Sequence, residues 1–363
     1  MATNKPSNYE DDQVLQLSEE FQKLENDPAV GLVIVKANGK VFCAGGDVIE
    51  YYRCSLTGEW ALAAKIYQKQ LTLDYLVATY IKPVVFLING AVMGGGAGLS
   101  LNARYRVVTE NTVFAMPEAA IGHYPDVGAS YFLSKLPGFL GEYLGLTGAR
   151  LNGVEMVACG LATHFVPSKV LFHNLLLLEK SLHEMDVAEP NTIQGIINKY
   201  THQVQLKEDS VLHRLNFIDH FFSKQTVEEI LSSLEHENEN ATLKEEWITK
   251  SIRSMKAASP INLKIFLMSI RKGRFEPLED CLTRDSRISS HILRRTVSND
   301  FLAGIKATIL EKNYKPKWEP SKLELVSNDM VETYLTKIPE NEGWKELQLP
   351  PRDMREKAPR AKL

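Results

Sequence analysis

The chain has no pair of cysteines or histidines at metal-ligand spacing. Its four cysteines, Cys43, Cys54, Cys159 and Cys281, are scattered, with no C-x-x-C pair. That excludes a zinc ribbon or a disulfide framework and reads as free thiols in a reducing compartment. The nine histidines form neither H-x-x-x-H nor H-E-x-x-H, so no metal site is expected. No apolar run approaches the ~20 residues of a membrane-spanning helix; the longest candidates are short, as at Val84–Ile88. Nor does one charge dominate. The 42 Lys+Arg against 45 Asp+Glu leave −3, which favours neither nucleic acid nor an anionic membrane as a partner. No repeat recurs at a fixed period. What remains is 363 residues, 44% hydrophobic and 24% charged. This is an ordinary globular composition for two domains, or for one domain with an extension.

The ends read differently from the middle. Residues 1–12 are polar and carry Glu10, Asp11 and Asp12, unlike a secretory signal or a mitochondrial presequence. The last three residues, Ala361-Lys362-Leu363, have the small–basic–Leu form of a peroxisomal address. The charged, proline-containing stretch before them is expected to be extended, as a receptor-read tail must be.

Between the ends, strands and helices alternate. Apolar spacing predicts a helix over 13–26 and another over 61–79. Gly31–Lys36 and Pro83–Asn89 read as strands, the second apolar throughout and therefore buried on both faces. Short strands are expected at 106–109 and 112–115, then helices around 127–135, 138–146, 152–160 and 168–184. This order argues an α/β core over residues 1–186. From 187 to 345 the chain is helix-dominated, with helices at 242–256, 260–270 and 298–311. Residues 346–363 are assigned to the tail.

Two glycine-rich turns follow strands. Met93–Gly98 is not a phosphate loop, because no Gly-Lys-Ser/Thr follows. It is not a dinucleotide fingerprint either, because Leu99 stands where the last glycine belongs. It is either a plain tight turn or a place where bare backbone N–H groups stabilise developing negative charge. Phe42-Cys43-Ala44-Gly45-Gly46-Asp47 is a second such turn. If the two converge at one end of a sheet, they can hold a thioester carbonyl oxygen between two donors.

FCAGGD, INGAVMGGGAGLS and FAMPEAAIGHYPDVGASYFLSKLPG, with TGARLNGVEMVACGLATHFVP and SNDFLAGIKA, together resemble the crotonase (enoyl-CoA hydratase/isomerase) superfamily. The resemblance is strongest to its 3-hydroxyisobutyryl-CoA hydrolase branch, of the plant peroxisomal type, and runs from about residue 4 to the C-terminus. It implies a spiral ββα core with a helical C-terminal region, an acyl-CoA substrate and no separate cofactor, coenzyme A being part of the substrate. It places the oxyanion hole at the N–H groups of Gly46 and Gly95. The first hydratase glutamate falls at Gly98 and is absent; the second falls at Glu118. The hydrolase branch adds an aspartate, here Asp126. Losing one carboxylate and gaining Asp126 points to thioester hydrolysis rather than water addition. From spacing alone, two carboxylates eight residues apart read as surface acids; the resemblance makes them a catalytic pair, Glu118 as base or nucleophile and Asp126 as acceptor for a substrate β-hydroxyl.

The chain also departs from that pattern. The family's N-R-P-x-x-x-N-A-L loop is reduced to Asn4–Tyr9 and its first two strands are missing, so an exposed sheet edge and weaker coenzyme A binding are expected. A pocket glutamate of the branch is Gln70 here. The variable positions of I-G-x-x-P-D, usually apolar or aromatic, are His123 and Tyr124 here, with His123 expected to be structural. Ala303 replaces the acid of D-F-x-E-G. Two other readings stand beside the hydrolase, a hydratase or isomerase and a non-catalytic scaffold subunit. A peroxisomal import receptor is the partner expected for the C-terminal tripeptide. Oligomeric state stays open, since relatives range from monomers to trimers and hexamers.

Overall fold

The computed structural model describes residues 9–168, 174–185, 188–241, 245–312, 315–339 and 344–352, with the side chains of residues 9–12 excepted. Strand pairs separated by tight turns generate the architecture. β1 (Val33–Lys36), β3 (Val84–Ile88), β5 (Tyr105–Val108) and β8 (His164–Phe165) form one parallel sheet in the order β1-β3-β5-β8. β2 (Val41–Cys43), β4 (Ala91–Met93), β6 (Val113–Ala115) and β7 (Leu151–Asn152) form a second, in the order β2-β4-β6-β7. Only β6–β7 is antiparallel. Each of the first three turns of the chain therefore lays one strand in the first sheet and the next strand in the second. The corner at Gly90 requires glycine: φ is +125°, and a Cβ there would lie 2.4 Å from the Lys40 carbonyl oxygen.

Helices complete the spiral. α1 (Tyr9–Asn26) begins four residues before the expected start, so Tyr9 is helical rather than part of a loop; residues 1–8 lie outside the described residues. α2 (Val48–Thr57) and α3 (Trp60–Ala78) follow β2, and α4 (Gly95–Leu101) follows β4. β3 is buried at every position, as its unbroken apolar sequence requires of a strand flanked on both sides. Among the described residues, β1 and β2 are outer strands of their sheets.

The change of character near residue 187 is a change of element type within a shared interior. One hydrophobic cluster includes Phe86 and Phe114 of the sheets together with Phe266 and Ile288 of the later helices. A second cluster packs Ile193 and Ile197 of the helix Pro190–Tyr200 onto Val85 and Leu87. Within residues 344–352 the backbone is irregular, yet Trp344 and Leu347 are buried and Arg352 pairs with Glu25 at 2.6 Å. The C-terminal tripeptide lies outside the described residues.

Candidate active site

Three neighbouring strands of the second sheet deliver the site. β2 ends at Cys43 and releases Ala44–Gly46; β4 ends at Met93 and releases Gly94–Gly95; β6 ends at Ala115 and leads to Glu118. Because β2, β4 and β6 are parallel and adjacent, their carboxyl ends open on the same side. A cavity of about 290 Å³ lies there, and Gly46, Gly95, Glu118 and Asp126 all line it.

The two glycine turns touch. A Cβ on Gly95 would lie 3.7 Å from the Gly46 nitrogen, and a Cβ on Gly45 would lie 3.3 Å from the Gly95 nitrogen. Gly45 and Gly94 have φ of +99° and +49°, conformations that glycine adopts without strain. Gly96 packs so closely that a Cβ would sit 2.3 Å from the Cys43 carbonyl oxygen. Asp47 closes the first turn by capping α2, its carboxylate accepting from the N–H groups of Ile49 and Glu50. Among the described residues, neither the Gly46 nor the Gly95 N–H donates to a backbone acceptor outside the regular helix and strand bonds.

Glu118 opens a short helical turn after Pro117 and is 8% exposed. Its Oε1 abuts Gly94, and its Oε2 has no hydrogen-bond partner among the described residues. Burial pushes its carboxyl well above the usual carboxylate range, and the nearby Asp126 adds to the rise. Asp126 is 7% exposed. Burial raises it too, opposed by the His123 imidazole and the Tyr67 hydroxyl. The surface-acid reading of the eight-residue spacing is thus corrected: both carboxyls are buried, and Tyr67 of α3 with Ser289 and Phe301 of later helices line the same cavity. Gly122, between the two acids in sequence, has φ of +77°.

His123 stacks on Tyr124 with ring centroids 5.3 Å apart, and its Nδ1 lies 3.0 Å from the Tyr124 carbonyl oxygen. Its Nδ1 is 3.8 Å from Asp126 Oδ2. That carbonyl contact assigns the proton to Nδ1, which suits a structural role.

Position 98 is closed to a larger residue. A Cβ on Gly98 would meet the Val127 Cβ at 2.6 Å and Asp74 Oδ2 at 2.9 Å. A hydratase-type glutamate is therefore absent and has no room without a shift. Gln70 lines the cavity, and its amide nitrogen donates to Asp74 Oδ1 at 2.6 Å. Asp74 is buried, with Oδ2 unpaired among the described residues, and burial raises its carboxyl well above the ordinary range.

Sequence reasoning missed Tyr67, Asp74 and Asp285. The Tyr67 hydroxyl donates to Asp126 Oδ2 at 2.6 Å. Asp285, in the helix Leu278–Arg294, accepts from the Tyr124 hydroxyl at 2.9 Å and the Gly128 N–H at 2.8 Å. Burial lifts the Asp285 carboxyl to about 7, partly countered by Arg284. Tyr67 and Asp74 share one face of α3 with Gln70, at i, i+7 and i+3, the only sequence signal available. No motif marks Asp285.

Among the described residues no cluster of His, Cys, Asp or Glu could hold a metal ion, and all four cysteines are free thiols. No helix there is long and apolar enough to cross a membrane.

Comparison with known proteins gives this arrangement of paired sheets and a strand-end cavity its class. The chain belongs to the enoyl-CoA hydratase/isomerase family, whose sequence profile matches residues 9–335. It is 47% identical over 340 residues to an Arabidopsis thaliana protein named probable 3-hydroxyisobutyryl-CoA hydrolase 3, covering 94% of this chain and 88% of that one. It is 43% identical over 331 residues to a small ribosomal subunit protein of the same organism, covering 91% of this chain and 80% of that one. Among solved structures, a carnitinyl-CoA dehydratase from Mycobacterium thermoresistibile superposes with a TM-score of 0.81 at 29% identity, covering 93% of this chain and 91% of that one. The crotonase-like α/β fold expected from the motifs is the fold observed.

Proposed function

We propose that this protein is an acyl-CoA thioester hydrolase acting on 3-hydroxyisobutyryl-CoA or a similar short 3-hydroxyacyl-CoA. The observation that carries the reading is one cavity lined by Gly46, Gly95, Glu118 and Asp126, with position 98 closed to a second glutamate. The thioester oxygen sits between the N–H groups of Gly46 and Gly95, which stabilise it as it gains charge. Glu118, in a dry environment that raises its proton affinity, takes the proton of attacking water or attacks the carbonyl itself. Where Glu118 activates water, the water oxygen bonds to the acyl carbon, the C–S bond breaks, and the coenzyme A thiolate takes up the proton that Glu118 received. Where Glu118 attacks, the C–S bond breaks to leave an acyl-Glu118 anhydride, which water hydrolyses to the acid and free Glu118, the proton released going to the thiolate. Asp126 accepts a hydrogen bond from the β-hydroxyl. The reaction needs water and no resident cofactor. On that reading the reaction belongs to valine breakdown, the pathway that the family resemblance implies for such a substrate.

The test compares two substrates in a free-thiol assay. Asp126→Asn is expected to lower turnover of 3-hydroxyisobutyryl-CoA far more than that of isobutyryl-CoA, because only the former offers a hydroxyl. Equal losses would remove Asp126 from hydroxyl recognition.

The small–basic–Leu ending supports a peroxisomal location, with an import receptor as partner. Deleting Ala361–Leu363 is expected to leave a fluorescent fusion of the whole chain in the cytosol. Continued peroxisomal import would refute that reading.

A second reading, a non-catalytic scaffold subunit, draws support from the likeness to a ribosomal subunit protein. The intact glycine turns and both buried carboxyls weigh against it.

A further inference from the structure

We propose that Tyr67 is a positioning residue for Asp126, its phenol holding one carboxylate oxygen so that the other faces the hydroxyl of the acyl group. This rests on the reading of Asp126 given above. Tyr67 lies on α3, 59 residues from Asp126 in sequence, and both line the cavity. The 2.6 Å bond engages Oδ2, the same oxygen that His123 Nδ1 faces at 3.8 Å. Oδ1 is the acceptor left for the hydroxyl, with the Ser289 side chain and Asp126's own backbone N–H also favouring the ionised carboxyl. A short bond from a neutral phenol to a buried carboxylate is a charge-assisted one, which fixes direction as well as energy.

The arrangement isolates this contact from the loop's own fold. Asp285 pins the segment on both sides of Asp126, through the Tyr124 hydroxyl and the Gly128 N–H. The backbone that carries Asp126 therefore has its own anchor, and Tyr67 acts on the side chain. Phenylalanine would fill the same volume but leave Oδ2 without its donor, in surroundings too dry for water to replace it at no cost. Burial pushes the Tyr67 hydroxyl well above its ordinary value, so it remains a donor throughout the working range.

The groups facing Asp126 define what a pH profile reads. Tyr67 and Asp74 face it from α3, Glu118 from the turn after β6, and His123 and Tyr124 from its own segment. Asp285 and Ser289 face it from the helix Leu278–Arg294. Tyr67→Phe changes one of these and leaves the others in place. Loss of a donor to the ionised form raises the Asp126 carboxyl further. Since ionised Asp126 is the acceptor and Glu118 acts on both substrates alike, the acid limb that reads Asp126 is that of the kcat/KM ratio between the hydroxylated and the plain substrate, and it must move to higher pH.

The experiment uses the full chain as wild type, Tyr67→Phe, Asp126→Asn and the double variant, with thiol release from 3-hydroxyisobutyryl-CoA and isobutyryl-CoA. Tyr67→Phe is expected to lower kcat/KM on the hydroxylated substrate by ~10- to 100-fold, and on the plain one far less. The acid limb of that ratio shifts upward, and the double variant is no worse than Asp126→Asn. If Asp126→Asn discriminates between the substrates and Tyr67→Phe does not, the proposal falls while the hydrolase reading stands. If Asp126→Asn does not discriminate, Tyr67 has no hydroxyl-binding group to position and the proposal falls with that part of the reading. Should Tyr67→Phe not fold, 3-fluorotyrosine at position 67 keeps the shape and strengthens the donor. The acid limb of the ratio must then move to lower pH, and an unmoved limb overturns the proposal.

Discussion

Replacing Glu118 with glutamine is expected to cut thioester turnover by ~10²–10⁴-fold, the usual worth of a positioned acid–base group. Glutamine keeps the shape that packs against Gly94, where Oε1 would meet a Cβ at 2.9 Å. The fold should tolerate the change. The carboxyl is buried, raised in pKa and unpaired at Oε2 among the described residues, so a neutral group there removes the need to ionise in a dry site. Urea unfolding at neutral pH should show a stability equal to or above that of the wild type. Acyl-CoA binding by calorimetry should be retained within a few-fold. Turnover unchanged in Glu118→Gln would assign the base elsewhere, or the protein to the scaffold class if the wild type is also inert.

Gly96→Ala is expected to have the second-largest effect, and through geometry alone. The added methyl would lie 2.3 Å from the Cys43 carbonyl oxygen and 2.6 Å from its Cβ. The 2.3 Å contact is with backbone, so the turn after β2 must move away from the turn after β4. Overpacking of this kind costs about 1–3 kcal/mol of stability. The larger loss should be catalytic. The same displacement separates the Gly46 and Gly95 N–H groups, and misplacing one oxyanion donor costs ~10²–10³-fold in kcat. Gly195→Ala is the control. It lies in the helix Pro190–Tyr200, a Cβ there meets nothing within 4 Å, and its φ is not left-handed. That substitution should leave kcat unchanged and stabilise by ~0.4–1 kcal/mol, because alanine restricts the unfolded chain. Parallel thermal melts and kcat measurements on the two variants separate a local clash from a general intolerance of glycine replacement.

The fold was legible wherever periodicity and turn chemistry agreed. β3 announces itself as five apolar residues between Pro83 and a glycine corner, and the structure buries all five. The helix expected over 61–79 is observed as Trp60–Ala78. α4 starts four residues before the expected Leu99, because its first turn consists of the glycines themselves, and helix propensity counts glycine against a helix. Likewise 298–311 divides into a helix at Asp300–Ile305 and a wider-wound turn at Lys306–Leu310.

The lining of the candidate cavity was legible in its chain-local parts. Each of FCAGGD, MGGGAG and MPEAAIGHYPD is one strand end and its turn, so a contiguous motif carries the contacts. Tyr67 and Asp285 are supplied by helices whose only requirement is that one polar group meet a distant partner. The Tyr67–Asp126 and Asp285–Gly128 bonds span 59 and 157 residues. Such pairings leave no spacing pattern in a single sequence. The burial of Glu118 and Asp126 was hidden for the same reason: a carboxylate in a polar segment reads as solvated until later helices cover it.

Hydrolysis at the strand-end cavity is read from the products that the wild-type chain makes. Incubated with 3-hydroxyisobutyryl-CoA, the protein should release free coenzyme A and 3-hydroxyisobutyrate in equal amounts, read by mass spectrometry. Dehydration to the enoyl-CoA with the thioester intact would contradict hydrolysis and establish the hydratase reading instead.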